Sequence, residues 1–147
     1  MLNIRIVLFF LGILITALGV SMIIPFLVEF NSLKINSENF LICLLFCLFV
    51  GVSLMLAFKE EEKKVNVKDT ILITTISWPI MVIFSSLPLY LDLNIKNYID
   101  ALFEATSGLT TTGATIYKNT ENLSPGILIW RAMLQWLGGL GIIFFAI

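Results

Sequence analysis

Between Ser107 and Thr115 the sequence reads Ser-Gly-Leu-Thr-Thr-Thr-Gly-Ala-Thr, a run rich in hydroxyls and poor in anything that reacts. Its chemistry is that of oxygen dipoles. A cation that gives up its water needs a ring of oxygens in exchange, and backbone carbonyls supply one when successive peptide planes point at a common axis. β-Branched threonines hold an extended backbone and add hydroxyl oxygens, and Gly113 can adopt a positive φ that a side chain would oppose. Composition alone leaves a second reading open, that of an ordinary extracellular Thr-rich loop.

Three charged residues flank the run. Asp100 and Glu104, four apart, share one helical face. Acids within a membrane are costly and are paired or functional. They either draw cations to an outer mouth, or Glu104 pairs with Arg131 further along; we favour the structural pair Glu104–Arg131. Other chemistries lack their residues. The chain has no histidine, and its two cysteines, Cys43 and Cys47, sit four apart in an apolar segment with no second pair to complete a metal site, so they read as packed thiols. An enzyme would need a nucleophile with a base, or metal ligands, and the sequence holds no acid cluster other than Glu60–Glu62 and the Asp100/Glu104 pair. This excludes an enzyme as the first reading.

The elements that must position the loop are apolar helices. In 147 residues, 59% are hydrophobic and 13% charged, too little polar surface to cover a soluble globule. Ile6–Val28, Asn39–Phe58 and Thr70–Leu91 carry no charge, and each is long enough to cross a hydrocarbon core of about 30 Å. A fourth apolar stretch, Ser124–Ile147, is interrupted only by Arg131. Pro79 and Pro88 lie in the third span, the first read as a tolerated bend and the second as a helix stop.

Asn97–Ser107 reads as a helix of about 11 residues, half a bilayer long, with Asn97 as N-cap, Asp100 completing a capping box and Gly108 ending it. Ser124 and Pro125 are a cap and first residue for the last helix. The order is span, half-span helix, Thr/Gly loop, span, as in a re-entrant pore loop. Irregular backbone at that depth is tolerated only inside protein or along a water-filled path. Gly138, Gly139, Gly141 and Ala132 form a small-residue surface for close helix approach, with Trp130 an interface aromatic and Trp136 a packing one.

The loop Lys59–Lys64 with Lys68 concentrates basic residues, which places it and the N-terminus, with Arg5, in the cytoplasm. The first span is longer than a signal-peptide core and no clear cleavage site follows, so it reads as a retained anchor. A net charge of −1 without a basic patch argues against nucleic acid.

Asp100-Ala-Leu-Phe-Glu-Ala-Thr-Ser-Gly-Leu-Thr-Thr-Thr-Gly-Ala-Thr115, followed by Trp130-Arg-Ala-Met-Leu-Gln-Trp-Leu-Gly-Gly-Leu-Gly-Ile142, closely resembles the first pore repeat of Trk-system potassium uptake proteins of the TrkH type, within the Trk/Ktr/HKT superfamily. The likeness runs from about Asp69 to Ile147, and the two preceding spans resemble that subfamily's extra N-terminal helix pair. It implies a pore of four non-identical repeats in one chain, of which this sequence would hold the first. Filter oxygens for potassium would then come from Thr110, Thr111, Thr112 and Gly113. It further implies a homodimer in the cytoplasmic (inner) membrane, in contact with membrane lipid and gated by a cytoplasmic nucleotide-binding subunit.

The expected fold is therefore an all-α membrane protein: three transmembrane helices, a re-entrant pore helix with a filter loop, and a fourth transmembrane helix cut by the C-terminus. Residues 1–58 form the helix pair, 59–68 the cytoplasmic loop and 69–147 an incomplete pore repeat. The expected function is potassium uptake as part of a larger transporter, with no covalently bound cofactor. A small subunit that tetramerises into a cation channel, or a sodium-carrying relative, fits the same residues.

Overall fold

The computed structural model describes residues 3–32, 37–59, 66–92 and 95–146, with backbone alone for Asn122 and 142–146. In hydrocarbon the backbone polar groups of an apolar run must be satisfied within the run itself, which selects helices. They are α1 (Ile4–Ser21), α2 (Ile23–Asn31), α3 (Ser37–Ala57), α4 (Val67–Tyr90), α5 (Tyr98–Leu109) and α6 (Pro125–Ala146), with one 3-10 turn at Thr120–Asn122 and no strand among the described residues. Three segments, Ile4–Asn31, Ser37–Ala57 and Val67–Tyr90, are long and apolar enough to cross a membrane. Residues 60–65 of the expected cytoplasmic loop lie outside the described residues, and α4 begins at Val67, inside the segment expected to be loop.

The first span is two helices rather than one. Pro25 brings no N–H to the carbonyl of Ser21. The chain tightens there instead, with Met22 N donating to Gly19 O at 3.0 Å and the Ser21 hydroxyl to Leu18 O at 2.6 Å. In α4 the outcome is the reverse. Pro79 and Pro88 both lie inside the helix, which runs on to Tyr90, so Pro88 is not the expected stop. At the start of α4 the buried Asp69 carboxylate accepts from Asn66 N at 3.2 Å and from Asn3 N at 2.9 Å, tying the first residues of α1 and α4 together.

α1 packs against α3 and α4, while α5 is held between α4 and α6, and α2 leans on α3 and α6. Close approach uses glycines that the sequence reading passed over. A Cβ on Gly12 would come within 2.8 Å of Gly51 O, and one on Gly51 within 2.9 Å of Gly12 O. Cys43 and Cys47 are buried free thiols in α3, and Cys47 lies where a Cβ on Gly19 would meet it at 2.9 Å. On α6 the expected small-residue surface is used at Gly138, where a Cβ would overlap the carbonyl of Leu109, and at Gly139, where one would touch Thr111 at 3.9 Å; among the described residues a Cβ on Gly141 would meet nothing within 4 Å, and Ala132 is exposed.

The two tryptophans differ in burial, and Trp130, expected at the interface, is the packed one. Trp130 is 0% exposed, edge-on to Phe40 and donating its indole N–H to Ser85 O at 3.0 Å, whereas Trp136 is 65% exposed. Six residues turn a helix by about 240°, so the two cannot share its packed face.

α5 is the short helix expected, 12 residues or about 18 Å. Its ends differ from expectation. Asn97 occupies the N-cap position with extended backbone, but its side chain makes no capping bond, and Asp100 simply places its charge in the first turn, at the positive helix end. Gly108 lies within the helix, pressed on Leu134 where a Cβ would approach its Cβ to 2.9 Å.

Candidate functional site

The loop begins where α5 ends, and the ending is a Schellman motif: Thr111 N donates to Gly108 O at 2.9 Å and Thr112 N to Ser107 O at 3.0 Å. Glycine ordinarily fills the left-handed position of that motif. Here Thr111 fills it, with φ of 57°, an uncommon conformation for a β-branched residue. Gly113 then takes φ of 77°, the positive value its lack of a Cβ allows. Thr110, at φ −80° and ψ 1°, is not extended either. The expected extended threonine run is thus bent at its first two residues, because closing the helix end outweighs their β preference.

This closure polarises the loop. The N–H groups of Thr110, Thr111, Thr112 and Gly113 all point back at α5, bonded to the carbonyls of Thr106, Gly108 and Ser107. Among the described residues, no donor reaches the carbonyl oxygens of those same four, and residues 110–115 are exposed. Four consecutive carbonyls are left with free lone pairs at the negative end of a helix. The hydroxyls are ordered as well. Thr110 Oγ1 donates to Thr106 O at 2.8 Å, which leaves Thr112 to donate across the 2.8 Å separating its hydroxyl from that of Thr110.

The return limb is fixed from below by Ser107 and Glu104. The Ser107 hydroxyl donates to Ala114 O at 2.6 Å, so one residue holds both limbs. Glu104 Oε2 accepts from Thr115 Oγ1 at 3.1 Å and from Ile116 N at 3.0 Å, while Oε1 accepts from Arg131 Nε on α6 at 2.6 Å. The pair is nearly enclosed, with the Glu104 side chain 2% and Arg131 16% exposed. Arg131 also lies over the ring of Tyr117, 5.3 Å from its centroid, and the Tyr117 hydroxyl donates to Asp92 at 3.4 Å. Burial above all, then the Asp92 and Glu104 carboxylates, push the Tyr117 phenol above its ordinary range, against the opposing pull of Arg131. The Ser124 hydroxyl caps α6 through Ile127 N at 3.4 Å.

The structure thus brings Thr110 to Gly113 together with Glu104 and Arg131 at one end of α5; Asp100, two turns away in the first turn of α5, takes no part. Sequence reasoning missed Ser107, Thr115, Tyr117 and Asp92 as supports. Only Ser107 carried a local signal, a small hydroxyl in the last turn of a helix that enters a loop.

Comparisons with known proteins follow the same lines. Residues 36–147 match the TrkH family of cation transport proteins. The Trk system potassium uptake protein TrkH of Halomonas elongata is 34% identical over 146 residues, 99% of this chain and 30% of that protein. An uncharacterized cation transporter of Methanocaldococcus jannaschii is 35% identical over 137 residues, 93% of this chain and 28% of its own length. The crystal structure of the potassium transporter TrkH from Vibrio parahaemolyticus superposes with a TM-score of 0.89 at 31% identity, covering 97% of this chain and 31% of that one. The chain therefore spans about a third of the length of the relatives it matches. With its apolar helices and this match, it is a multi-pass membrane protein that belongs to the TrkH family of cation transport proteins.

Proposed function

We propose that the chain forms the first pore repeat of a TrkH-type potassium uptake protein, with Thr110, Thr111, Thr112 and Gly113 as one quarter of its ion filter. The observation that carries this is the loop's polarity: every N–H of the four residues is bonded into α5, while their carbonyls accept no hydrogen bond among the described residues. That leaves oxygen dipoles to replace a cation's water. Exposed irregular backbone at membrane depth needs a protein or water-filled neighbour, which the remaining repeats would provide. The apolar groove of Trp78, Pro79, Val82, Ile83, Leu102, Thr106 and Thr110, about 510 Å³ and open, fits a face that another repeat covers.

In this reading residues 1–58 are the accessory helix pair, 59–68 a cytoplasmic loop and 69–147 the pore repeat. The N-terminus lies in the cytoplasm, the protein sits in the cytoplasmic membrane as a homodimer, and a cytoplasmic nucleotide-binding subunit gates it. The test is rubidium against sodium uptake in cells deficient in potassium uptake. It compares the chain alone, the chain joined to the remaining length of a TrkH relative, and the joined protein with Gly113→Ser. Uptake by the joined protein alone, with potassium-like preference reduced by the serine, supports the reading. Unchanged preference in the serine variant removes the loop from the filter, and uptake by the chain alone favours a self-assembling channel subunit.

A further inference from the structure

Glu29 lies on α2, away from the loop, fully buried and without a cationic partner among the described residues. One carboxylate oxygen, Oε1, has no hydrogen-bond partner among the described residues, while Oε2 accepts from Gly126 N at 2.7 Å. Gly126 is the second residue of α6, whose next N–H is capped by Ser124. A carboxylate 97 residues distant in sequence therefore completes the capping of α6, at the end where the helix dipole favours negative charge. The fit is tight. A Cβ on Gly126 would meet Glu29 Oε2 at 2.6 Å and the Phe40 ring at 3.0 Å.

The same turn and a half of α6 carries the loop's support. Trp130 is held by Phe40 and by Ser85 O, and Arg131 reaches Glu104, whose second oxygen holds Thr115 and Ile116. Burying a carboxylate on a single hydrogen bond is costly, and that cost is met here where α2 touches the pore repeat. We propose that Glu29 is a positioning residue for the pore loop, setting the first turn of α6 and, through Arg131 and Glu104, the loop's return limb. The inference rests on the reading of Thr110–Gly113 as filter oxygens, and it gives the N-terminal helices a part in ion preference beyond anchoring.

The test uses the chain joined to the remaining length of a TrkH relative, at matched membrane abundance, and reads rubidium-over-sodium preference for Glu29→Gln, Glu29→Ala, Gly126→Ala, the Glu29→Ala/Gly126→Ala double variant and Gly113→Ser. Glu29→Ala and Gly126→Ala are each expected to lower the preference about fivefold, the fold-change of one hydrogen bond. Glu29→Gln keeps the acceptor and the preference. The double variant falls short of the two single effects combined, because the alanine at 126 no longer meets a carboxylate and meets only the Phe40 ring and the Cβ at position 29. Preference that stays normal in Gly126→Ala and Glu29→Ala while Gly113→Ser alters it overturns the Glu29 inference and leaves the loop reading standing. The same holds if these variants need higher expression to reach the matched abundance but keep normal preference. A Gly113→Ser variant with normal preference removes the loop reading itself.

Discussion

The interface of α1 with α3 and the surroundings of the loop after α5 solve opposite problems. Between α1 and α3, Gly12 and Gly51 bring each helix's backbone against the other, with Gly19 admitting Cys47. Around the loop, contact is directional: Ser107, Glu104 and Arg131 hold particular carbonyls and amides at particular angles. Without a hydrophobic drive between helices in lipid, close packing suffices for regular elements. A non-helical backbone needs hydrogen bonds to choose one conformation among many. The first region should therefore answer to side-chain volume, and the second to the identity of single polar atoms.

Removing one partner of the buried pair should have the largest effect. Glu104→Ala or Arg131→Ala is expected to cost about 3–5 kcal/mol in thermal unfolding of the detergent-purified protein, the double variant costing less than the sum. If either single variant costs less than a glycine replacement between α1 and α3, the comparison fails. Next is Gly51→Ala, where the added carbon collides with Thr16 and with the backbone of α1. An overpacking cost of about 1–3 kcal/mol is expected, with ion preference unchanged in uptake assays.

A smaller effect of opposite sign is expected for Thr111→Gly. Relief of the left-handed threonine, offset by the added freedom of glycine in the unfolded chain, should leave a gain of about 0.5 kcal/mol. A loss would mean that the Thr111 side chain contributes more than its strain removes. Of the same order as Thr111→Gly is Tyr117→Phe, costing about 0.5 kcal/mol for one long hydrogen bond. It also has a pH signature. With its pKa raised in the folded state above the ordinary 10.0, the phenol contributes stability that is fully present below pH 10 and lost as pH climbs above it. Tyr117→Phe should flatten that alkaline decline in melting temperature, and an unaltered decline would assign it to another group.

Much of the architecture was legible because its causes are local. Charge-free runs longer than a bilayer must be helices, the short segment before the loop cannot span, and Ser124 before Pro125 starts a helix by its own chemistry. The positive φ of Gly113 was legible too, since only glycine takes it without penalty. The pairing of Glu104 with Arg131 was the favoured of two readings, each residue being costly alone in an apolar setting. Gly108 misled, because a glycine near a helix end signals a cap, and here its missing side chain instead admits Leu134. Trp130, read as an interface aromatic, is packed instead, for a related reason. Which face of α6 is packed depends on Phe40 and Ser85, residues of other helices.

By itself, then, the sequence determined the apolar helical elements, the half-length helix and the place of the Thr/Gly loop between them, since these follow from hydropathy, length and the backbone freedom of glycine. The tertiary structure decided the rest: that Thr111 rather than a glycine turns the chain, that Ser107 serves both limbs of the loop, and that Glu29 caps a helix beginning 96 residues later. Those outcomes depend on contacts between residues far apart in the chain, whose geometry arises only when α2, α5 and α6 have packed together.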